Sequence, residues 1–152
     1  MKKKSLKISI EHLENEPYAS VICYPKLTET ELRERLKELQ KLKVKAIEFS
    51  GGKEVFSVPV LGKGCVGIVT VAYVDGEKVA LKIRRVDADR ARMHSEADML
   101  KKANSVDVGP TLLDFSTNFL LMQYIDGNLL PVWLKKTVGI KRLKLVLREI
   151  LE

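Results

Sequence analysis

Three glycines spaced as Gly-x-Gly-x-x-Gly lie between strand-like segments, and they restrict the fold more than any other feature of the chain. Glycine lets the backbone bend tightly and lets N–H groups approach phosphate oxygens without a Cβ in the way. In a dinucleotide-binding fold this spacing opens into a helix. Here the third glycine leads into residues 68–74, which are rich in β-branched side chains, so the pattern predicts a strand-loop-strand cover for phosphates. The loop and its flanks comprise Leu61, Gly62, Lys63, Gly64, Cys65, Val66, Gly67 and Val69.

An Asp75-Gly76 pair joins residues 68–74 to residues 77–83. It predicts a β-hairpin, because a type I′ turn needs positive φ at both turn positions. In the second strand, Ala80 and Lys82 share a face. A small residue there leaves room for a flat base, and the lysine brings positive charge near phosphates. A surface lysine whose stem packs on the sheet is the alternative, and the preceding glycine loop favours the functional interpretation.

A helical pattern over residues 89–103 offers a partner for Lys82. Glu96 lies among apolar residues at helical spacing, whereas Asp98 has polar and charged helical neighbours. A charge on an apolar face is costly unless it is paired. We therefore expect Glu96 to face the sheet and pair with Lys82, and Asp98 to face water. The apolar neighbours of Glu96 are Met93, Met99 and Leu100.

The remaining segments complete an antiparallel sheet of about five strands that carries this helix, an α+β fold. Residues 45–49 and 55–61 have strand character on either side of Ser50-Gly51-Gly52, which indicates a turn. Residues 112–115 and 119–124 form a second predicted strand pair further along the chain.

Residues 1–44 form a predicted N-terminal α/β extension that ends in an amphipathic helix. Thr28 and Glu31 make a capping box at its start, and leucines follow at helical spacing. Glu31 also faces Arg35 one turn on, so we expect the other side of the helix to be charged and solvated. The leucine stripe predicts packing against the neighbouring part of the chain, and a helix that binds a partner protein is the alternative. The stripe consists of Leu32, Leu36, Leu39 and Leu42.

Taken in order, these features resemble the ATP-binding small lobe of the protein kinase superfamily. The resemblance covers residues 55–150 and rests on five ordered features rather than on any one of them. The short interval between Lys82 and Glu96, and Val108-Gly109-Pro110 before the next strand, make it most similar to small archaeal serine/threonine protein kinases. It implies ATP as the cofactor, a protein substrate, and catalytic roles for Lys82 and Glu96.

The resemblance also assigns the ATP-binding residues. Besides the glycine loop, Ala80 and Lys82, it implies adenine contacts where the last strand enters a hinge. For the strand and hinge side chains, ordinary core packing is the alternative. The hinge residues are Met122 as gatekeeper, Gln123 and Ile125 as backbone contacts to the adenine edge, and Tyr124 between them.

By the same resemblance, residues 45–127 are the small lobe and residues 128–152 begin a large lobe with its first helices. The catalytic loop and the metal-binding aspartate of the family do not follow the hinge, and Asp114-Phe115-Ser116 precedes it. We therefore expect a truncated chain that is inactive alone and binds nucleotide weakly, with Mg²⁺ required only where the large lobe is present. A non-catalytic module that binds a nucleotide or a partner is the alternative. The apolar face of the final helix comprises Ile140, Leu143, Leu147 and Ile150.

The formal net charge of +7 favours anionic partners. An RNA- or ribosome-associated module is therefore a rival function. The chain has no run of about 18 apolar residues and no signal-peptide pattern, so we expect a cytoplasmic protein without membrane contact. Cys23 and Cys65 are too few for a disulfide framework and have no metal-ligand spacing. An exposed face between lobes would also permit a homodimer. The RNA alternative rests on Arg84, Arg85, Arg90 and Arg92.

Overall fold

The computed structural model of the chain describes residues 5–89, 92–136 and 139–151. Over these residues the chain forms nine β-strands, five α-helices and one short 3-10 helix, Ile10–His12. The fold class is α+β with an antiparallel sheet, as predicted. The strands are β1 (Leu6–Ser9), β2 (Val44–Phe49), β3 (Lys53–Val55), β4 (Val58–Val60), β5 (Gly62–Lys63), β6 (Gly67–Val74), β7 (Glu77–Arg84), β8 (Leu112–Phe115) and β9 (Phe119–Gln123). The helices are α1 (Tyr18–Ile22), α2 (Glu29–Lys41), α3 (His94–Asn104), α4 (Leu130–Leu134) and α5 (Ile140–Leu151).

Seven of the described strands form one antiparallel sheet in the order β1-β2-β6-β7-β9-β8, with β5 paired to the first residues of β6. The strands β3 and β4 form a separate hairpin. The prediction of about five strands was too low, because β1 and β5 also join the sheet. The two residues of β5 are too few to show an alternating pattern, whereas the four residues of β1 alternate between apolar and polar side chains but belong to the N-terminal extension rather than to the predicted sheet.

Two turns with positive φ shape the strand pairs. Asp75 and Gly76 have φ of 50° and 83°, which confirms the predicted hairpin between β6 and β7. Phe56 and Ser57 have φ of 48° and 63° and turn the chain between β3 and β4. The prediction of one strand over residues 55–61 was therefore wrong. Phenylalanine and serine rarely adopt positive φ, so no turn signal marks this position in the sequence.

The two faces of the sheet carry different layers, because side chains alternate along each strand. In β7, Leu81 and Ile83 are buried in the main core, while Lys82 lies on the opposite face. In β9, Leu121 joins the main core and Leu120 packs against α3. The N-terminal helices thus cover one face and α3 covers part of the other. The main core also contains Leu13, Val21, Ile22, Leu39, Leu42, Ile47, Phe49, Val60, Ile68, Ala72 and Phe119.

The helix α2 begins at the predicted cap, where the Thr28 hydroxyl accepts a hydrogen bond from the Glu31 N–H at 3.3 Å. Its leucine stripe packs against the main core, as predicted. The expectation that its other side is solvated was wrong at Arg35, whose side chain is 0% exposed. The guanidinium donates to the Glu31 carboxylate at 2.7 Å and to the Ile22 carbonyl at 2.8 Å. The approach of α1 to this side of α2 removes Arg35 from water.

The helix α3 begins at His94, later than the predicted start at residue 89. The Arg85 N–H donates to the Val66 carbonyl at 2.8 Å, and the Val86 N–H donates to the Tyr24 carbonyl at 2.9 Å. These long-range bonds fix the segment after β7 in a non-helical path. Helical periodicity in the sequence carries no information about such partners.

Beyond β9, the chain forms α4 and α5, which contribute no residue to either core. On the predicted apolar face of α5, Ile140, Leu147 and Ile150 are exposed and Leu143 is half-buried. No helix in residues 5–89, 92–136 and 139–151 is both long and apolar enough to span a membrane.

Candidate functional site

The glycine loop is a tight connection between β5 and β6. The Gly64 N–H donates to the Gly67 carbonyl at 2.9 Å, and Gly62 pairs with Val69 in the ladder. A Cβ on Gly67 would lie 2.6 Å from the Ile83 carbonyl oxygen, so this position requires glycine. At Gly62 and Gly64 a Cβ would meet only ordinary contacts, at 3.7 and 3.9 Å. The predicted strand-loop-strand arrangement is confirmed. Of the three glycines of the loop, only Gly67 is required by close packing against the rest of the chain.

Lys82 and Glu96 form the ion pair that the helical phase predicted. The Lys82 ammonium donates to the Glu96 carboxylate, and the two side chains are 22% and 23% exposed. Asp98 lies on the solvated side of α3, 65% exposed, and its carboxylate is 3.7 Å from the Lys101 ammonium. Met99 departs from the prediction, because its side chain is largely exposed rather than packed on the sheet.

A cleft of about 510 Å³ opens between α3 and the sheet, with the ion pair in its wall. A second hollow of about 370 Å³ lies under the glycine loop. Val66 and Lys82 line both, so the two are neighbours. Each is within the size range of small-molecule sites. The cleft is lined by Val66, Lys82, Glu96, Met99, Leu100, Ala103, Pro110, Leu120 and Met122. The hollow is lined by Gly62, Lys63, Gly64, Cys65, Val66, Gly67, Val69 and Lys82.

The wall of the cleft on α3 follows one helical face, since Glu96, Met99, Leu100 and Ala103 recur at spacings of three, four and seven residues. That periodicity is visible in the sequence. It predicts that Met99 and Leu100 are buried residues that pack on the sheet, and it does not predict that they line a cavity. Pro110 and Leu120 carried no signal for a site. Leu120 reaches the cleft because β9 pairs with β7, and the Pro110 carbonyl accepts a hydrogen bond from the Asn104 side chain of α3 at 2.9 Å.

Most of the predicted loop residues line the hollow, and Met122 lines the cleft. Leu61 and Ala80 line neither cavity. Ala80 is buried on the same face as Lys82, opposite Val71 and Met122 in the ladders.

The other three predicted hinge residues, Gln123, Tyr124 and Ile125, lie outside both cavities. The Gln123 N–H donates to the Thr111 carbonyl at 2.8 Å, and its side-chain oxygen accepts from the Thr111 N–H at 3.2 Å. The Tyr124 ring contacts the Lys78 ammonium, 4.5 Å from its centroid. Ile125 is exposed. Their proposed contacts with a base stay predictions.

Two residues that the sequence did not indicate for the site, Tyr24 and Arg85, contact the glycine loop from outside. The Lys63 ammonium lies 4.7 Å from the centroid of the Tyr24 ring, and the Arg85 guanidinium carbon lies 4.9 Å from the same centroid. Arg85 also donates two hydrogen bonds of 2.8 Å to Asp87, and these hold the pKa of the Asp87 carboxyl below its usual range. Tyr24 comes from the N-terminal segment, so no local motif connects it with the loop.

Two of the cationic residues behind the RNA alternative are engaged within the protein. Arg84 donates to the Asn118 side-chain oxygen at 3.0 Å, and Arg85 pairs with Asp87. Arg92 is exposed, and Arg90 lies outside the described residues. Two of the four arginines therefore have structural partners.

The two cysteines lie in different surroundings. Cys23 is buried, which raises the pKa of its thiol to about 11, whereas Cys65 is exposed in the glycine loop. In the part of the chain that the structure describes, no group of three His, Cys, Asp or Glu residues could hold a metal ion.

Replacing Glu96 by alanine should lower the free energy of unfolding by about 1–2 kcal/mol, and Asp98→Ala by less than about 0.5 kcal/mol. Loss of one partner from a well-buried pair costs about 3–5 kcal/mol, and an exposed pair contributes about 0–1 kcal/mol. The Lys82–Glu96 pair lies between these limits, because its side chains remain partly exposed. Urea denaturation of both variants measures the difference. Equal losses, or a larger loss at Asp98, would contradict the assigned pair.

A scan against models of protein families finds none that matches this chain, and a search of curated proteins finds no match either.

Proposed function

We propose that this chain is the ATP-binding small lobe of a serine/threonine protein-kinase-like phosphotransferase. One observation carries the proposal: the Lys82–Glu96 ion pair lies where the hollow under the glycine loop meets the apolar cleft. In such an enzyme a lysine of this kind contacts the nucleotide phosphates, and a helix carboxylate holds it in place. The observation supports this arrangement because both cavities share Lys82.

The chemistry of the two cavities is complementary to the two ends of a nucleotide. The cleft presents Leu120, Met122 and Ala103 to a flat apolar base, and the hollow presents Lys82 to phosphates. Glu96 keeps the Lys82 ammonium at the junction, where the base and the phosphates of one ligand would meet.

Nucleotide binding is the step that this function needs, and NMR titration of the labelled protein with ATP, ADP and adenosine tests it. The cleft is open to solvent along one side. We therefore expect an ATP dissociation constant on the order of 1 mM or weaker, with shifts at the glycine loop and at Met122. Lys82→Met should weaken ATP and ADP binding by at least about tenfold, or about 1.4 kcal/mol, and leave adenosine binding unchanged.

Two further variants make this test specific. Lys45→Met removes an exposed lysine from β2 and should leave all three affinities unchanged. Lys82→Met/Glu96→Gln removes both charges of the pair, so it avoids an unpaired carboxylate in the cleft. Equal effects of Lys82→Met and Lys45→Met, or shifts confined to surface lysines, would rule out the proposed site.

A further inference from the structure

We propose that Glu38 in α2 is a positioning residue for the Lys82–Glu96 ion pair, although its carboxylate does not line the cleft. It acts through the turn of residues 116–118, which connects β8 to β9. The effect on nucleotide binding rests on the proposed function. The effect on the ion pair rests only on contacts within the chain.

The turn first fixes the strand that carries Lys82. The Arg84 N–H donates to the Asn118 carbonyl at 2.8 Å, and the Arg84 Nε donates to the Asn118 side-chain oxygen at 3.0 Å. Arg84 is the last residue of β7 and follows Lys82 by two positions in the same strand. A shift of Asn118 therefore moves the end of the strand at which Lys82 lies.

The same turn fixes the helix that carries Glu96. The Met93 N–H donates to the Thr117 carbonyl at 3.0 Å, and the Met93 side chain is buried against Leu120. Met93 is the cap residue of α3, and Glu96 lies in the first turn of that helix. The position of Thr117 thus sets where the helix begins. One short turn holds both partners of the ion pair.

Glu38 holds this turn from the N-terminal helix with three hydrogen bonds. One carboxylate oxygen accepts from the Asn118 N–H at 2.9 Å and from the Ser116 hydroxyl. The other accepts from the Asn118 side-chain amide at 2.6 Å. Charge-assisted bonds of this kind are shorter and stronger than neutral ones. Glu38 is therefore the group through which α2 holds the turn.

Hydrogen bonds at both the nitrogen and the oxygen fix the orientation of the Asn118 side-chain amide. Its nitrogen donates to Glu38, while its oxygen accepts from Arg84 and from the Arg35 Nη2 at 3.1 Å. Asn118 is buried, and a buried polar group that loses its partner is costly. A change at Glu38 cannot be absorbed by rotation of the amide, because rotation would break the two bonds to arginine. The turn itself has to move.

Exchanging the two polar groups tests the positioning role directly. In Glu38→Gln two amide nitrogens face each other, and in Asn118→Asp two carboxylates do. In the double variant Glu38→Gln/Asn118→Asp, the introduced glutamine amide donates to one oxygen of the introduced aspartate, and the other oxygen of that aspartate still faces both arginines. Each single variant should release the ion pair, and the double variant should restore it.

The readout is the rate at which an amine-reactive acylating reagent modifies Lys82, measured by peptide mass spectrometry relative to Lys78 in the same strand. Each single variant should raise this ratio by about two- to fivefold, toward the value of Glu96→Gln. The double variant should return it to the wild-type value. Ser116→Ala removes only one hydrogen bond to Glu38 and should give an intermediate ratio, which keeps the test valid if a single variant does not fold.

Two controls separate positioning from general stability. Glu34→Gln removes an exposed carboxylate from the same helix, and Leu39→Ala creates a cavity in the core beside Glu38. Neither should change the Lys82 to Lys78 ratio under native conditions, even though Leu39→Ala lowers stability. An unchanged ratio in Glu38→Gln and Asn118→Asp, or no recovery in the double variant, would overturn the inference.

A second readout connects the turn to nucleotide. The single variants should weaken ADP binding by about three- to tenfold while leaving adenosine binding unchanged, because only the phosphates contact Lys82. If the wild-type chain binds neither ADP nor adenosine, the proposed function fails, and the labelling ratio still decides whether Glu38 positions the pair.

Discussion

Replacing Arg35 by alanine is expected to lower the free energy of unfolding by about 3–5 kcal/mol. The side chain is fully buried and donates hydrogen bonds to one residue of its own helix and to groups from three other parts of the chain. Its loss leaves the Glu31 carboxylate without its cation and the Ile22 carbonyl, at 2.8 Å from Nη1, without a donor. Buried groups that lose a hydrogen-bond partner carry the cost of their desolvation.

Urea denaturation measures this loss, and we expect the slope of the unfolding free energy against urea concentration to stay unchanged. The matched control is Arg33→Ala in the same helix, whose ion pair with Glu29 is 66% and 86% exposed. Arg33→Ala should change stability by less than about 0.5 kcal/mol. Comparable losses for the two variants would show that the buried contacts of Arg35 contribute little net stability.

Replacing Gly67 by alanine should cost about 2–3 kcal/mol and displace the glycine loop. The new Cβ would lie 2.6 Å from the Ile83 carbonyl oxygen and 3.3 Å from the Lys82 Cε. The carbonyl belongs to the backbone of the central ladder between β6 and β7, where Gly67 pairs with Arg84. The Ile83 carbonyl can move away from the new Cβ only if hydrogen bonds of that ladder break, and Lys82, the preceding residue, would move with it.

The control for this prediction is Gly64→Ala, whose Cβ would lie 3.9 Å from its nearest neighbour, the Gly67 carbonyl oxygen. We expect a change within about 0.5 kcal/mol, since the contact is ordinary and alanine restricts the unfolded chain slightly. Thermal melts and NMR spectra of both variants distinguish them. If Gly67→Ala keeps wild-type stability and loop shifts, the third glycine is not required by packing.

Features that depend on near neighbours in the chain were predictable. The Asp75-Gly76 turn follows from its two residues, because few others adopt positive φ there. The phase of α3 follows from helical geometry, which separates Glu96 from Asp98 by about 200° of rotation. The Lys82–Glu96 pair was predictable for the same reason, once the strand and the helix were both recognised.

The turn at Phe56 and Ser57 was not predicted, because neither residue type indicates a turn with positive φ. Phe56 and Ser57 adopt positive φ although neither favours it, and this turn divides a segment that reads as one strand. The surrounding hairpin holds them there, since Val55, Val58 and Val60 all bury their side chains in the main core. Packing of the valines outweighs the local preference of the turn residues.

The sequence by itself determined the α+β class, the hairpin, the opposite facing of Glu96 and Asp98 in α3, and the residue types of the candidate site. Only the tertiary structure decided that Arg35 is buried, that Glu38 reaches Asn118, and that Tyr24 lies against the glycine loop. The physical reason is that each of these contacts joins segments far apart in the chain. Local propensity and periodicity depend on residues that are near in sequence. Burial and long-range hydrogen bonds depend on which surfaces the whole fold brings together.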